Sequence, residues 1–205
     1  MRAALCTGMT LPAAFERLFS WIEARGHFVD TAKGRVGCLS MQNGAHRAGT
    51  YIEFGPQGNA SLEHWFGTSN PTVIGRLSVF ARTGRDGSMA AFWLNDAGTQ
   101  KIVHLGSGSG STTVCILADD PVDFLRLLAI GYDEICWGGE YAEPPIRDGQ
   151  GKETQNRLFS AWVEKTFNVT VPDCGAEIVP QPASMTHTAS DDPFWQWVQK
   201  SIAYK

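Results

Sequence analysis

The alternating glycines and serines of Gly106–Ser111 are the first residues to consider for chemistry, because they resemble a phosphate-binding loop. Glycines let backbone N–H groups approach an anion closely, and such loops bind phosphate where they lead into a helix. Here the loop leads into Thr112–Leu117, whose sequence TTVCIL predicts a strand, and no lysine occupies the P-loop position. The pattern therefore favours a flexible loop between two strands over a phosphate site.

The histidines and cysteines show no spacing typical of a metal or redox site. No two histidines lie four residues apart, and the cysteines form no CxxC pair. The sequence thus predicts reduced thiols and neither a metal nor a cofactor. A Cys–His or Ser–His catalytic site assembled by the fold remains an alternative, because such residues need not be neighbours in sequence. The residues concerned are His27, His46, His64, His104, His187, Cys6, Cys38, Cys115, Cys136 and Cys174.

Acidic residues are densest between positions 119 and 140. They lack the closely spaced oxygen ligands and the glycine turn of an EF-hand. Asp119 and Asp120 are explained by capping of a helix that opens at Pro121. The functional alternative is an acidic patch for a basic protein partner, formed by Asp119, Asp120, Asp123, Asp133, Glu134 and Glu140.

The segment Trp137–Tyr141 (WGGEY) follows an apolar helix and places two glycines between aromatic residues. This predicts an exposed bend that carries a tryptophan and a tyrosine, both favoured anchors of protein interfaces. Closure of the core by Trp137 is the competing interpretation. With the exposed turns, this bend supplies the predicted partner contacts: Asn95, Asp96, Ser109, Asp133, Glu134, Trp137, Glu140 and Tyr141.

Apolar spacing of three and four residues predicts four helices. Thr10 and Asp192 are expected to cap the first and the last, and Gly131 to end the second. Between the last two of these helices we expect an extended segment, Pro172–Pro182, followed by a polar stretch. The predicted helices are Thr10–Arg25, Val122–Ile130, Asn156–Phe167 and a final helix after Asp192.

Short segments separated by turns of a few residues predict an antiparallel meander. His27–Ala48 is expected to be a loop with an edge strand at Val36–Met41, and Asn95–Gly98 to be a hairpin turn. The other predicted strands are Gly49–Gly55, Ser61–Gly67, Val73–Arg82, Met89–Leu94, Lys101–Leu105 and Thr112–Leu117.

Composition places the chain among cytoplasmic globular proteins. Of the 205 residues 43% are hydrophobic, enough for a core, and the net charge of −4 argues against a nucleic-acid partner. No segment reaches the roughly 18 apolar residues of a membrane span, and the N-terminus has no secretory signal. Nothing in the sequence indicates an oligomeric state.

The stretch from Met89 to Trp137 resembles the core of the SUKH superfamily. The similarity consists of an aromatic strand with Phe92 and Trp93, a strand that ends in Leu105–Ser107, and a helix of the form DFLRLLAIGYDEI. That helix carries Phe124, Leu125, Leu128, Gly131 and Tyr132. Asn156–Val179 is similar to the tail of bacterial members, a tryptophan-bearing helix followed by a proline and an Ile-Val strand, so the resemblance spans about Val73–Val179.

The resemblance implies an α+β fold, with a largely antiparallel sheet of about five to six strands and helices packed beside it. We expect one domain over residues 1–205, with 1–48 a helix and loop extension and 183–205 a helical tail. Bacterial members are immunity proteins that neutralise toxins, often nucleases, and the family shares no catalytic residues. The chain is thus expected to be a non-catalytic binding protein whose partner is a cognate toxin. A housekeeping scaffold module and a small hydrolase or transferase are the alternatives, and the long N-terminal region and the Gly/Ser loop depart from the family pattern.

Overall fold

In the described residues seven antiparallel strands form a single sheet, and each strand pairs with the next one along the chain. The structure is a computed structural model that describes residues 1–32, 34–41, 49–56, 58–146 and 157–203. The predicted antiparallel meander is confirmed, with seven strands instead of five to six. The strands are β1 (Phe28–Thr31), β2 (Gly34–Gly37), β3 (Glu53–Phe54), β4 (Leu77–Arg82), β5 (Met89–Leu94), β6 (Gln100–Leu105) and β7 (Val114–Ala118).

Six α-helices accompany the sheet in the described residues, so the α+β fold class is confirmed. Short 3-10 helices lie at Arg2–Ala4, Gly138–Ala142 and Gly175–Glu177. No helix in the described ranges is long and apolar enough to cross a membrane. The α-helices are α1 (Ala13–Ala24), α2 (Asn59–Phe66), α3 (Pro71–Ile74), α4 (Pro121–Ile130), α5 (Arg157–Phe167) and α6 (Pro193–Ala203).

Helices cover both faces of the central strands, because successive side chains of a strand point to opposite faces. On one face Phe92 of β5 packs with Phe15 of α1 at 5.0 Å between ring centroids, and Phe15 stacks on Phe124 of α4. On the other face Trp93 packs against Phe194 and Trp197 of α6 at 5.2 and 5.6 Å. The sheet therefore lies between two helical layers.

The segment Ser61–Gly67 is helical, and the prediction of a strand there is wrong. It belongs to α2, which buries Leu62 and Phe66 four residues apart on one face. Gly67 ends the helix in the left-handed conformation with φ 60°. The strand predicted at Val73–Arg82 is shorter for a similar reason, because Asn70 caps α3 and β4 begins only at Leu77.

The N-terminal region contributes two strands to the sheet as well as a helix. β1 and β2 form a hairpin over Phe28–Gly37, so the expected edge strand at Val36–Met41 lies earlier in the chain. Pro12, and not Thr10, is the residue before α1, and no side-chain cap hydrogen bond forms there. Residues 42–48, which belong to the predicted loop and include His46, lie outside the described residues, as does Asn156, and α5 begins at Arg157.

The C-terminal residues complete the far edge of the sheet. The N–H of Val114 donates to the carbonyl of Ala183, and the N–H of Ile116 donates to the carboxylate of Asp192 at 2.8 Å. Asp192 also accepts from the N–H of Trp195, which confirms that it caps α6. The expected Ile-Val strand at Ile178–Val179 is wrong, because Val179 instead closes the Gly175–Glu177 turn by donating to Gly175.

Candidate protein-binding surface

The predicted contact residues lie at two opposite ends of the sheet. β5 and β6 pair from Met89 with Leu105 at one end to Leu94 with Gln100 at the other. Asn95 and Asp96 follow Leu94, whereas Ser109 follows Leu105. Six paired residues at about 3.3 Å each separate the two groups by roughly 20 Å. One compact partner site therefore does not include both.

The turn that contains Asn95 and Asp96 is held together by its own side chains. The amide oxygen of Asn95 accepts from the N–H groups of Ala97 and Thr99, at 3.1 and 2.8 Å. Asp96 pairs with Arg76 at 2.6 Å and has a largely exposed side chain. Gly98 has φ 74°, as the turn prediction requires. Asn95 thus has a clear structural role.

At the other end, the Gly/Ser loop joins β6 to β7 and is anchored to Asp86 of the β4–β5 hairpin. Its carboxylate accepts from the Ser107 hydroxyl at 2.8 Å and from the Ser111 N–H at 2.7 Å. It also accepts from the N–H and the hydroxyl of Ser88, both at 2.9 Å. Burial acts to raise the pKa of Asp86, but these hydrogen bonds outweigh it and hold the pKa below its ordinary value.

Close backbone approach explains why glycines occupy this loop. A Cβ atom at Gly110 would lie 2.7 Å from the Asp86 carboxylate, and one at Gly106 would lie 2.5 Å from the carbonyl of Ser111. The N–H groups of Gly108 and Gly110 donate to Ser111 and Ser107 within the loop. The loop connects two strands, as predicted, and these N–H groups bond to the protein itself. Ser109 lies exposed at its tip.

The exit from α4 forms a surface around Trp137, which we call the Trp137 surface and define as Arg85, Asp133, Glu134, Trp137 and Glu140. Trp137 is 39% exposed, and its indole N–H donates to Glu134 at 3.2 Å. The other oxygen of Glu134 accepts from the backbone and the guanidinium of Arg85, both at 3.0 Å. Glu134 therefore fixes both an exposed aromatic ring and an exposed cation.

Two carboxylates on the Trp137 surface have no ion pair among the described residues. Asp133 and Glu140 are both exposed, and neither takes part in a salt bridge there. Partial burial is the main cause that raises the pKa of Glu140, and repulsion from Asp133 and Glu134 adds to it. Arg85 is neutralised by Glu134 and stacks over Tyr51 at 4.7 Å. The surface around the tryptophan is therefore acidic.

The prediction that Tyr141 lies exposed beside Trp137 is wrong. Its side chain is 1% exposed, and its hydroxyl donates to the carbonyl of Ile135 at 2.6 Å. The Gly138–Ala142 helix turns the ring inward, where it packs against Tyr132 and the backbone of Gly175. Tyr141 packs in the interior under the Trp137–Tyr141 bend, and Trp137 is the aromatic residue of the bend that is exposed to solvent.

The acidic residues between positions 119 and 140 form two groups instead of one patch. Helix α4 separates them by about 15 Å, since its ten residues rise about 1.5 Å each. At its start Asp120 caps the helix, as predicted. Asp119, which was also expected to cap it, instead pairs with Lys101. Only Asp133, Glu134 and Glu140 adjoin Trp137.

No hydrogen bond joins the ring of a described histidine to the thiol of a described cysteine. His104 is buried with its ring nitrogens 2.9 Å from the Thr83 hydroxyl and 2.8 Å from the Thr113 carbonyl. Burial lowers its pKa to about 4. Burial, reinforced by Glu134, raises the pKa of Cys136, which disfavours the thiolate. Within the described residues no group of three or more His, Cys, Asp or Glu side chains is placed to hold a metal ion.

Comparisons of the chain with protein-family models, with curated proteins and with solved structures found no match.

Sequence reasoning did not identify Arg85, Asp86 and Tyr51 as parts of this end of the sheet. Tyr51 joins it because its N–H donates to the carbonyl of Asp133 at 2.7 Å. The only local signal was the Asp86-Gly87 pair, which indicates a hairpin turn. The partners of these residues lie far along the chain, so no short motif contains them.

Proposed function

We propose that this chain is a non-catalytic binding protein that neutralises a cognate toxin protein by direct contact. The observation that carries the proposal is the exposed Trp137, whose indole N–H is held by Glu134. A fixed aromatic side chain binds without a large loss of conformational freedom, and tryptophan is enriched among interface residues that dominate affinity.

The charge of the Trp137 surface indicates the kind of toxin that it suits. Asp133 and Glu140 flank the tryptophan and have no ion pair in the described part of the chain, so a partner with lysines or arginines would complement them. Nucleases carry such residues because they bind phosphate, and a nuclease is therefore the proposed toxin class. Neutralisation would follow from covering the toxin's basic surface, in the cytoplasm, with no reaction.

The resemblance of Met89–Trp137 to the SUKH superfamily supports the same proposal, since bacterial members of that superfamily are immunity proteins. The test is co-expression of the chain with toxic proteins encoded near its gene. We expect the chain to restore growth and to form a complex that survives size-exclusion chromatography. Absence of both results, with the two proteins expressed and folded, contradicts the proposal.

A charge reversal tests the placement of the surface separately from the function. We expect Asp133→Lys together with Glu140→Lys to abolish growth rescue, because both substitutions meet a basic partner with like charge. Glu134 is left unchanged, since it holds Arg85 and Trp137 in place. The matched control is Glu63→Lys with Glu23→Lys, at two exposed positions on α2 and α1. Equal rescue by both double variants places the interface elsewhere.

A further inference from the structure

A shallow groove of about 610 Å³ lies between helices α1 and α5. We call it the α1–α5 groove and define it by Glu16, Arg17, Ser20, Trp21, Trp162 and Thr166. The rings of Trp21 and Trp162 lie 5.4 Å apart between centroids and form its aromatic floor. None of these residues belongs to the Trp137 surface, so the groove is a separate feature of the molecule.

The aromatic floor continues into an exposed apolar side chain. Leu158 is 62% exposed and lies four residues before Trp162 on α5, so the two side chains are neighbours on the helix surface. Trp162 is itself partly exposed. Adjoining exposed apolar side chains mark docking sites for proteins, whereas isolated ones are common on any surface.

Three cations surround the groove, and we call Arg17, Arg25 and Lys165 the groove cations. Arg17 lines the groove, and the guanidinium of Arg25 lies over Trp21 at 4.9 Å from the ring centroid. Lys165 follows Trp162 by three residues and therefore lies beside it on α5. None of the groove cations forms a salt bridge with another described residue.

Elsewhere in the described ranges most basic side chains are neutralised by a carboxylate. The carboxylate in the lining of the groove, Glu16, is itself paired with Arg2. It therefore does not offset the charge of the groove cations. An acidic surface would complement the groove.

The Trp137 surface has the composition that the groove requires. It presents Trp137 as an exposed aromatic side chain. Asp133 and Glu140 flank this side chain, and neither has an ion pair in the part of the chain that the structure describes. Both halves of a complementary contact are thus present in one chain, on surfaces that share no residue, and they specify a second copy of the chain as the occupant.

We propose that the α1–α5 groove binds the Trp137 surface of a second copy of this chain. Trp137 packs on Trp162 and Leu158, and the carboxylates of Asp133 and Glu140 pair with the groove cations. The contact is heterologous, because it joins two different surfaces, and each added copy leaves one groove and one Trp137 surface open for another. Both surfaces are small and charged, so the association is weak and sensitive to salt.

Sedimentation velocity of the full chain, with a reductant present to prevent disulfide cross-links, tests the association. Between about 10 and 500 µM, a range that covers weak binding, we expect the weight-average sedimentation coefficient to rise with concentration in low salt. In about 0.5 M sodium chloride the rise should be smaller, because salt screens the charges. A sedimentation coefficient that is independent of concentration in low salt overturns the proposal. Because the solution contains this chain alone, the outcome is independent of the toxin function proposed above.

A matched pair of substitutions tests the location of the groove. Lys165 and Lys200 are each the basic residue in the last turn of an exposed helix, α5 and α6 respectively. We expect Lys165→Glu to weaken the association about tenfold, because an attraction becomes a repulsion, and Lys200→Glu to leave it unchanged. Equal association of the two variants, with unchanged circular dichroism, contradicts docking in the groove.

Mixing two charge-reversed variants tests whether the contact joins unlike surfaces. One variant carries Arg17→Glu with Lys165→Glu in the groove, and the other carries Asp133→Lys with Glu140→Lys on the Trp137 surface. We expect each variant alone to stay monomeric and the mixture to sediment faster, because the intact Trp137 surface of the first meets the intact groove of the second. Recovery in the mixture also shows that both variants are folded. Association of either variant alone, or a mixture of two folded variants that stays monomeric, overturns the proposal.

Discussion

His104 is a buried titratable residue whose ionisation opposes folding. Its ring nitrogens are bonded to Thr83 and Thr113, and burial lowers its pKa to about 4 from an ordinary 6.5. The unfolded chain therefore binds more protons than the folded chain as the pH falls below 6.5. The stability that neutral His104 contributes is present above that pH and is lost as the pH falls toward 4.

We predict that the free energy of unfolding decreases between pH 6.5 and pH 4.5 and that His104→Gln makes this decrease smaller. The full contribution of a shift to about 4 is about 3 kcal/mol. About 2 kcal/mol of this is lost between pH 6.5 and pH 4.5, and urea titrations of both proteins at these two pH values measure that part. His64→Gln, which removes an exposed histidine from α2, is the matched control. An unaltered slope in the His104 variant contradicts the prediction.

Asp86 is the residue that organises the Gly/Ser loop. We predict that Asp86→Ala lowers the free energy of unfolding by about 3 kcal/mol, because several donors lose a charged acceptor. Urea denaturation checks this value. Asp96→Ala, which removes an exposed ion pair with Arg76, should cost less than about 1 kcal/mol. Equal losses in both variants contradict the role of Asp86.

Residue roles with near partners were predictable from sequence, and those with distant partners were not. Asp120 caps α4 by accepting from the N–H of Val122, two residues ahead, and Gly98 supplies the positive φ that its own turn requires. Asp86 bonds to Ser107 and Ser111, which lie 21 and 25 residues away. The sequence left Trp137 open between an exposed position and a place in the core, and the side chain is accessible; Tyr141 was misplaced, because it packs against Gly175.

At the scale of elements, α6 is joined to the edge of the sheet through Asp192. One carboxylate oxygen accepts from Ile116 of β7 and the other from Trp195 of α6. We predict that Asp192→Ala destabilises the protein by about 2 kcal/mol, since it removes a helix cap and leaves a strand N–H without its acceptor. Thermal or urea unfolding measures the loss.

The neighbouring Asp191 is a matched control for this prediction. Its side chain is exposed and has no bond in the described structure, so Asp191→Ala should change stability by less than about 0.5 kcal/mol. A similar loss in both variants would indicate that the carboxylate of Asp192 does not hold the edge.

The element that sequence misassigned shows the limit of local periodicity. In Ser61–Gly67, apolar residues fit both an alternating strand and a helix with Leu62 and Phe66 on one face. Packing decides, because Phe66 contacts Trp197 of α6 at 5.6 Å between ring centroids. Strands β5 and β6 and helix α4 were predictable, since tight turns and caps mark their ends, whereas the start of β4 was predicted four residues too early.

At the scale of the whole molecule, the two helical layers depend on both ends of the chain. The α1 helix supplies Phe15 to one layer, and α6 supplies Phe194 and Trp197 to the other. Sequence predicted an extension at residues 1–48 and a tail at 183–205, but it did not reveal which face each end covers. Aromatic residues are present in most elements, so composition alone does not assign them to layers.

We predict that a chain truncated after residue 182 loses cooperative unfolding or associates, because Trp93 and the edge of β7 become exposed. Circular dichroism during urea titration and sedimentation velocity measure the two outcomes. A truncated chain that stays monomeric and unfolds at the same urea concentration contradicts an integral role for residues 183–205.

The central claim is that Trp137 anchors a protein partner. The most direct measurement is calorimetry with Trp137→Ala, which gives its affinity for whichever protein co-expression identifies as the toxin partner. We expect a loss of about 2 kcal/mol, or roughly 30-fold, typical of an interface tryptophan. Leu158→Ala, which truncates another exposed apolar side chain, should leave the affinity unchanged. Unchanged affinity for Trp137→Ala, in a variant that folds normally, would contradict the account.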